Sequence, residues 1–448
     1  MTNRILLQRI VLLALFSLPF LLGTARAQTE TVLYSFCSQQ DCSDGEGPGT
    51  GLVFDQQGNL YGVTGAGGNG AYGVCNYYGY NATCGTIYKI APNGEETVLY
   101  NFCAKENCTD GALPDGGLVF DKQGNLYGTA HSGGKYGQSL CSYANVPGCG
   151  VVFKLTPAGE YTVLYNFCKQ SGCRDGTYPS RRLAFDERGN LYGTTVNGGA
   201  HSGCGILGNQ GCGTVYRLNP EGKLTVLYNF CSRSNCADGD IPLAGVILDK
   251  QGNMYGATHW GGANCVWGYG CGVVYKLTPK GKYTVLHTFC AANDECPDGA
   301  LPDDGVILDH NGTLYGTTSE GGSHQWGQDH QWGVVYNLSP EGKETVLHNF
   351  CTQTNCTDGL GPNRITFGPA GNLYGTTWGG GANGWGEVYE LTTDGTETIL
   401  YSFCSQTNCP DGRYPGTGLI FDKQGNMYGT ASQGGLYDLA GVLYKITP

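Results

Sequence analysis

The chain has few charged residues, few residues that favour helices, and none of several common catalytic signatures. Only 14% of its residues are charged, and no segment keeps a helical period over several turns. The sequence has no Gly-x-Ser-x-Gly elbow, no phosphate-binding loop and no His-Glu-x-x-His. These absences argue against an α-helical protein and indicate none of the corresponding enzyme classes.

Long apolar runs are missing beyond the first 27 residues. Within that segment, Arg4 and Arg9 form a basic start, residues 10–22 are apolar, and residues 25–27 read Ala-Arg-Ala. This order is typical of a cleaved signal peptide, and about 13 apolar residues are too few to span a bilayer. We therefore predict a signal peptide over residues 1–27, secretion to the extracellular space or the periplasm, and no membrane span.

Positive charge is scarce in the remaining chain. Removal of the three arginines of residues 1–27 leaves 22 Lys and Arg against 37 Asp and Glu, a net charge of 22 − 37 = −15. An acidic surface argues against nucleic acid and anionic lipid as partners. It is compatible with a glycan or another extracellular partner. We expect a monomer without a cofactor.

Cysteine, in contrast, is abundant. The chain has 22 cysteines, and an even number in an exported protein favours disulfides. Four-cysteine zinc sites are the alternative, but the last three repeats keep only two cysteines each. We predict eleven local bridges: Cys37 with Cys42, Cys75 with Cys84, Cys103 with Cys108, Cys141 with Cys149, Cys168 with Cys173, Cys204 with Cys212, Cys231 with Cys236, Cys265 with Cys271, Cys290 with Cys296, Cys351 with Cys356, and Cys404 with Cys409.

One phrase, Thr-[Val/Ile]-Leu-[Tyr/His]-x-Phe-Cys, recurs seven times at intervals of 53 to 66 residues. Between two copies lie β-rich runs such as residues 118–121, 125–129, 150–155 and 162–167, separated by Gly, Pro, Asn and Asp. Seven units of four strands predict an all-β, seven-bladed β-propeller with four antiparallel strands per blade. We call the strands of a blade a, b, c and d, from the axis outward.

The two ends of the chain fit together in this arrangement. A lone d strand is predicted at residues 31–36, whereas the last unit, residues 415–448, supplies only strands a, b and c. We predict that the first strand completes the last blade and closes the ring, because an open sheet edge is a liability. Residues 28–448 would then form one domain. A solenoid is disfavoured because no capping unit is visible.

The repeat Asp-Gly-x-x-Pro…Gly-Leu-x-Phe-Asp-x-x-Gly-Asn-Leu-Tyr-Gly-Thr-Thr-x-x-Gly-Gly…Gly-x-Val-Tyr-x-Leu-x-Pro-x-Gly-x-x-Thr-Val-Leu-Tyr-x-Phe resembles the GloVer tandem repeat of bacterial choice-of-anchor proteins over residues 30–448. The resemblance implies an extracellular β-propeller, often followed by a surface-sorting segment. This sequence stops at Pro448, directly after the last predicted strand, so we expect free secretion. The resemblance implies no catalytic residue.

Tryptophan is confined to three adjacent blades. All six tryptophans fall in predicted b–c connections of blades four to six, accompanied by Tyr269, His324 and His330. Aromatic side chains with a polar edge suit sugars, although they could equally pack over glycine-rich loops. The candidate ligand-binding residues are Trp260, Trp267, Tyr269, His324, Trp326, His330, Trp332, Trp378 and Trp385.

Other polar residues are interpreted as structural. An Asp-Gly pair follows the second cysteine in every unit, and the aspartate is expected to cap a turn rather than bind calcium. The spacing of His324 and His330 around Asp329 is weak support for a metal site, so no metal is predicted.

These observations favour a secreted, non-catalytic binding propeller that uses the aromatic connections of blades four to six, with carbohydrate as the expected ligand. One alternative is a carbohydrate-active enzyme, a glycoside hydrolase or lyase, assembled from such residues as Glu320, Asp329, Glu387, Arg181, Arg182 and Arg364. A structural component of an extracellular matrix is the other alternative.

Overall fold

The computed structural model describes residues 28–49, 51–72, 75–77, 80–114, 116–202, 204, 211–262, 269–291, 296–323, 332–416 and 418–448. The predicted signal peptide lies outside these residues. In the described part of the chain, seven antiparallel sheets of four or five strands are arranged as a seven-bladed β-propeller, and two further two-stranded sheets pair Cys75–Tyr77 with Tyr80–Ala82 and Ser142–Tyr143 with Val146–Pro147. It contains no α-helix, only short 3-10 turns at Gln40–Cys42, Glu106–Cys108, Ser171–Cys173, Ser234–Cys236 and Thr354–Cys356. The predicted fold is therefore confirmed.

Each blade runs a, b, c, d from the axis outward. Strands a are Val53–Phe54, Val119–Phe120, Ala184–Phe185, Ile247–Leu248, Val306–Leu308, Thr366–Phe367 and Ile420–Phe421. Strands b are Leu60–Ala66, Leu126–Ala130, Leu191–Asn197, Met254–Thr258, Leu314–Thr318, Leu373–Gly379 and Met427–Gln433. Strands c are Thr86–Ile90, Val151–Leu155, Thr214–Leu218, Val273–Leu277, Val334–Leu338, Glu387–Leu391 and Val442–Thr447. Strands d are Glu96–Asn101, Tyr161–Asn166, Leu224–Asn229, Tyr283–Thr288, Glu344–Asn349, Glu397–Ser402 and, for blade seven, Thr29–Ser35.

The core lies between neighbouring blades, on both faces of strands b and c. In strand c of blade two, Val151, Val152 and Phe153 are all fully buried. The glycine of the recurrent Leu-Tyr-Gly motif makes room for the aromatic ring on the adjacent strand: a Cβ on Gly128 would lie 2.5 Å from the Phe153 ring. The motif is therefore a packing element of the sheet.

The N-terminal strand closes the ring as predicted. Thr29–Ser35 pairs antiparallel with Val442–Thr447, from Thr29 opposite Thr447 to Ser35 opposite Val442. The observed strand begins two residues before the predicted range of 31–36 and ends one residue earlier. This pairing completes blade seven and leaves its strand c covered on both edges.

The inner strand is split in four blades, which the sequence did not predict. An additional short strand precedes strand a and pairs with the far end of strand b, at Glu46–Pro48, Thr177–Pro179, Leu360–Pro362 and Arg413–Pro415. Between the two inner segments the chain still bonds to strand b, from the Ser180 N–H to the Thr194 carbonyl and from the Asn363 N–H to the Thr376 carbonyl, and the residues that follow line a cavity at the axis of the ring. In blade three these residues include Arg181 and Arg182, and in blade six they include Arg364.

Disulfides join ten of the eleven predicted pairs. The confirmed bridges are Cys37–Cys42, Cys75–Cys84, Cys103–Cys108, Cys141–Cys149, Cys168–Cys173, Cys204–Cys212, Cys231–Cys236, Cys290–Cys296, Cys351–Cys356 and Cys404–Cys409. The remaining prediction, Cys265 with Cys271, falls partly outside the described residues. At four places in the described part of the chain the sulfur atoms of two neighbouring pairs approach one another, as at Cys84, Cys103 and Cys108. These cysteines are disulfide-bonded, so they offer no thiolate to a metal.

The last bridge differs from its counterparts in the loop that it closes. The loop that ends at Cys409 contains no 3-10 turn, unlike the corresponding loop that ends at Cys356. Cys409 is nevertheless buried, bonded to Cys404 and placed in the left-handed backbone region, with φ of 48°. Its carbonyl accepts hydrogen bonds from the N–H groups of Gly412 and Gly435. The bridge therefore has the same architectural role in blade seven, although the loop conformation is not identical.

The recurrent Asp-Gly aspartate holds the short disulfide loop in place. Asp110 is fully buried; its carboxylate accepts hydrogen bonds from the Tyr100 hydroxyl at 2.6 Å and from the backbone N–H groups of Ala104 at 2.9 Å and Lys105 at 3.2 Å. The side chain thus caps backbone groups that precede it in the chain, and it ties the loop to strand d. Its role is architectural.

No helix in the described part of the chain has both the length and the apolar character needed to cross a bilayer.

Candidate ligand-binding site

The connections between strands b and c and those between d and a emerge on one face of the ring, where the candidate site lies. A cavity of about 310 Å³ opens there between blades five and six. Trp332 and Trp378 both line it, together with Arg181, Asp303, Asp304 and Glu320. We call it the tryptophan cavity. Two of the nine predicted ligand-binding residues therefore meet at one cavity.

The other predicted residues are distributed differently. Trp260 and Tyr269 stack on each other in blade four, with ring centroids 5.0 Å apart, and Trp260 also packs against the core between blades four and five. Trp267, His324, Trp326 and His330 lie outside the described residues. The structure thus places Trp260 as a partly structural side chain, in agreement with the packing alternative for that residue.

Trp378 lies within strand b of blade six, Leu373–Gly379, and not in the b–c connection where the sequence placed it. Its side chain is 54% exposed and stacks on Tyr414 of blade seven, with centroids 4.8 Å apart. Trp385 meets the same tyrosine edge-on at 5.2 Å, and the guanidinium of Arg413 lies 5.0 Å from the Trp385 centroid.

The floor of the tryptophan cavity carries an ion pair that the sequence did not reveal. The Nδ1 atom of His259 contacts a carboxylate oxygen of Asp303. Burial is the largest single influence and opposes both charges, but their attraction and hydrogen bond, together with Asp240 and Glu320 beside His259 and with Ser319 and Arg181 beside Asp303, outweigh it: the pKa of His259 is raised and that of Asp303 is lowered. His259 therefore keeps its proton to a higher pH than an ordinary histidine does.

The pKa of Asp304, the next residue, is shifted in the opposite direction from that of Asp303. Burial raises its pKa to about 6, with Arg181 opposing this rise and Asp303 reinforcing it. Neighbouring carboxyl groups whose pKa values are pushed apart can serve as a proton donor and a proton acceptor. The floor of the cavity can therefore exchange protons near neutral pH.

The axis of the ring adjoins this floor. A narrower cavity of about 40 Å³, the axial cavity, is lined by Arg181, Arg182, Arg364, Asp303 and Asp304, and otherwise mainly by glycine. Arg181, Asp303 and Asp304 line both cavities. Among the described residues that line the axial cavity, the charged ones come from blades three, five and six, and the others are glycine or alanine.

Sequence reasoning noticed Arg181, Arg182 and Arg364 but missed Asp303, Asp304, His259 and Tyr414. The available signal was positional. The seven units can be aligned on the first apolar residue of strand a, and blade five alone places two aspartates, Asp303 and Asp304, shortly before it. Blade two has a single aspartate there, Asp115, so the doubled acidic residue is what distinguishes blade five.

The fold and the disulfide-rich repeats define an all-β propeller of tandem units. A family model described as the Gloeobacter/Verrucomicrobia repeat matches residues 71–328 and 324–448. The chain therefore belongs to the Gloeobacter/Verrucomicrobia repeat family, which agrees with the resemblance read from the sequence. No match was found among curated proteins.

Solved structures share the fold at low sequence identity. Two structures of the extracellular domain of a protein from B. thetaiotaomicron, described as a hybrid two-component system and as a one-component system, superpose with TM-scores of 0.55 and 0.52. Both are 9% identical to this chain and cover 93% of it, whereas this chain spans only 39% and 40% of them. A gluconolactonase from Xanthomonas campestris superposes less well, with a TM-score of 0.40, 12% identity and coverage of 94% of this chain and 89% of its own.

Proposed function

We propose that this protein is an extracellular binding protein that holds a carbohydrate in the tryptophan cavity. The observation that carries the proposal is the joint presence of Trp332 and Trp378 at a cavity that also presents Arg181, Asp303 and Glu320. Sugars offer apolar ring faces that stack on indoles, and hydroxyl groups that bond to carboxylates and guanidinium groups.

The size and the exposure of the cavity suit one sugar unit of a longer polysaccharide. A volume of about 310 Å³ lies at the lower end of the range for small-molecule sites, roughly 300–1,000 Å³. Trp378 is more than half exposed, so a bound chain could continue beyond the cavity over the Trp378–Tyr414 stack.

The test measures the binding of a panel of polysaccharides to the wild-type protein and to the Trp332→Ala and Trp378→Ala variants. Calorimetry and intrinsic fluorescence report the affinity. Both substitutions should weaken binding at least about tenfold, as expected for a buried aromatic contact, without a large loss of thermal stability. Tyr143→Ala is the matched control, since Tyr143 is similarly exposed, at 56%, but lies in blade two. Unchanged affinity in both tryptophan variants would contradict the proposal.

A carbohydrate-active enzyme is the second candidate, and one observation favours it. The His259–Asp303 ion pair lies beside Asp304, whose pKa is raised to about 6, so a proton donor and an acceptor line one cavity. Release of reducing or unsaturated sugars from a bound polysaccharide, abolished in Asp304→Asn and retained in Asp394→Asn, would establish this function. Absence of any product from a glycan that binds would reject it.

A further inference from the structure

The axial arginines form a second, smaller site that the proposed carbohydrate function does not use. Arg182 and Arg364 reach the axis from blades three and six, where the inner strand is split. Together with Arg181 they represent three of the eight arginines that follow residue 27. Their concentration at one point is unusual in a chain with a net charge of −12.

Close packing at the axis leaves little space around these side chains. A Cβ on Gly51 would lie 2.6 Å from the Cα of Gly117, so the glycine blades bring their backbones into contact. A Cβ on Gly418 would lie 3.3 Å from the Cγ and Cδ atoms of Arg364, so this arginine stem occupies the axial space directly. Arg182 and Arg364 are partly buried there, whereas Arg181 is exposed.

The charges of the described residues that line the axial cavity are unequal. They are three arginines and two aspartates, and one of these aspartates, Asp303, is already engaged by His259. Burial and the repulsion of Arg364 lower the pKa of Arg182, and burial likewise lowers that of Arg364 despite the attraction of Asp304. The buried Nε of Arg364 has no hydrogen-bond acceptor among the described residues. A buried donor of this kind is costly unless a ligand supplies the acceptor.

We propose that Arg182 and Arg364 bind an anionic substituent, a carboxylate or a sulfate, of the sugar held in the tryptophan cavity. The two cavities share Arg181, Asp303 and Asp304, so a sugar seated on the tryptophans can place one substituent at the axis. The axial volume of about 40 Å³ suits a group of this size, because one water molecule needs about 10–15 Å³ by the same measure. Guanidinium groups match such oxygens in geometry and charge. The inference rests on the proposed function and specifies its ligand as an acidic glycan.

The experiment compares chains that differ only in charge. Oligogalacturonate is titrated against its methyl ester, and dextran sulfate against dextran, with intrinsic fluorescence of the wild-type protein as the signal. We expect one acidic chain to bind at least about tenfold more tightly than its neutral counterpart, which also identifies the substituent as a carboxylate or a sulfate. This comparison needs no variant, so it does not depend on the folding of a mutant.

Two variants then test whether the axial arginines cause the preference for the acidic chain. Arg364→Met and Arg182→Met should reduce the preference for the acidic chain about tenfold or more while the affinity for the neutral chain stays unchanged. Arg188→Met is the matched control, because Arg188 is exposed on the a–b turn of blade three, on the opposite face of the ring, and it should keep the preference intact.

The outcomes separate this inference from the proposed function. Equal, saturable binding of the acidic and neutral chains would overturn the anionic subsite and leave the carbohydrate function standing. A preference that survives in both axial variants would also overturn it, since general attraction to the surface would then be the cause. Failure of every glycan to bind would overturn both proposals.

Discussion

The Nε2 atom of His348 lies 3.5 Å from the Oε2 atom of Glu397, across the boundary between blades five and six. Glu387 lies in blade six, as does Glu397. It is fully buried, and neither of its carboxyl oxygens has a hydrogen-bond partner among the described residues. Burial, followed by repulsion from neighbouring carboxylates, raises the pKa of Glu397 to about 8 and that of Glu387 to about 9. This boundary therefore contains carboxyl groups that stay protonated at neutral pH.

A first prediction concerns the pH dependence of stability. The folded-state pKa of Glu387 is raised from 4.5 to about 9, so folding favours its protonated form, and the associated stability is lost as the pH rises through this interval. Replacement by valine, which other blades carry at the equivalent position of strand c, as at Val334, removes the titrating group. Glu387→Val should raise the melting temperature at about pH 8 and stabilise the protein there by about 2 kcal/mol.

The measurement is the melting temperature of both proteins from about pH 5 to about pH 9, with Glu160→Gln, on an exposed turn, as the control. The advantage of the valine variant should grow with pH. An equal difference between the two melting curves at every pH would show that Glu387 does not titrate in this range.

A second prediction concerns the recurrent aspartate. Asp110→Ala leaves the Tyr100 hydroxyl and the N–H groups of Ala104 and Lys105 without their acceptor. Loss of a buried charged acceptor should cost about 3 kcal/mol, whereas Tyr100→Phe, which removes a single donor, should cost about 1 kcal/mol. Thermal unfolding measures both. Asp394→Ala, in an exposed turn, should leave the melting temperature unchanged, and an equally small effect for Asp110→Ala would refute the capping role.

A third prediction follows from an exchange of partners in blade six. In blade two the Asp121 carboxylate accepts hydrogen bonds from Asn125 at 2.6 Å and from Tyr127 at 3.0 Å. Blade six has Gly368 at the aspartate position, and Asn372 and Tyr374 bond instead to Glu390, at 2.6 and 2.8 Å.

The glycine and Glu390 should therefore be energetically coupled. A Cβ on Gly368 would lie 2.2 Å from the Tyr374 ring, so Gly368→Asp alone should destabilise the protein by about 1–3 kcal/mol. Glu390→Lys, which introduces the residue found at Lys154 in blade two, should restore most of this loss in the double variant. Melting temperatures of the four proteins complete a double-mutant cycle, and strictly additive effects would disprove the coupling.

A fourth prediction concerns an interblade aromatic contact. The strand-b tyrosine of one blade meets the strand-a phenylalanine of the next edge-on, as in Tyr315–Phe367 at 5.4 Å. Blade five has Leu308 at the phenylalanine position, and a groove of about 960 Å³ opens beside Tyr255 on the face of the a–b turns. Leu308→Phe should extend the contact to Tyr255 and stabilise the protein by about 1 kcal/mol. Phe367→Leu is the reciprocal variant and should lower the melting temperature; a lower value for Leu308→Phe as well would show that the groove cannot accept a ring.

The architecture was predictable because local signals repeat. Each unit presents the same turn residues and β-rich runs, so seven weak predictions reinforce one another, and the unpaired first and last units imply ring closure. The split of the inner strand was not predictable, since the segment around Thr177–Pro179 is too short to differ from a loop in the sequence. Nor could the spacing of Cys404 and Cys409 show that their loop lacks the 3-10 turn of other units, because the number of residues between the cysteines is unchanged.

The candidate site was predictable only in part. Tryptophan enrichment in blades four to six identified Trp332 and Trp378, but not their strand or loop setting. Asp303 and Asp304 follow a proline and precede a glycine, a combination typical of a turn. Their proximity to Arg181 arises because the ring brings blades three and five together at the axis, and no local pattern encodes that distance.

The pairing of Thr29–Ser35 with Val442–Thr447 has a kinetic consequence. These partners are separated by nearly the whole chain, so their contact raises the contact order and carries a large loop-closure cost. Earlier blades can collapse as soon as their residues are available, but the last sheet has only four of its five strands, and an exposed edge, until the first strand returns. The slowest folding step should therefore be the docking of a seven-residue segment, and the species that accumulates before it is the one most prone to aggregate.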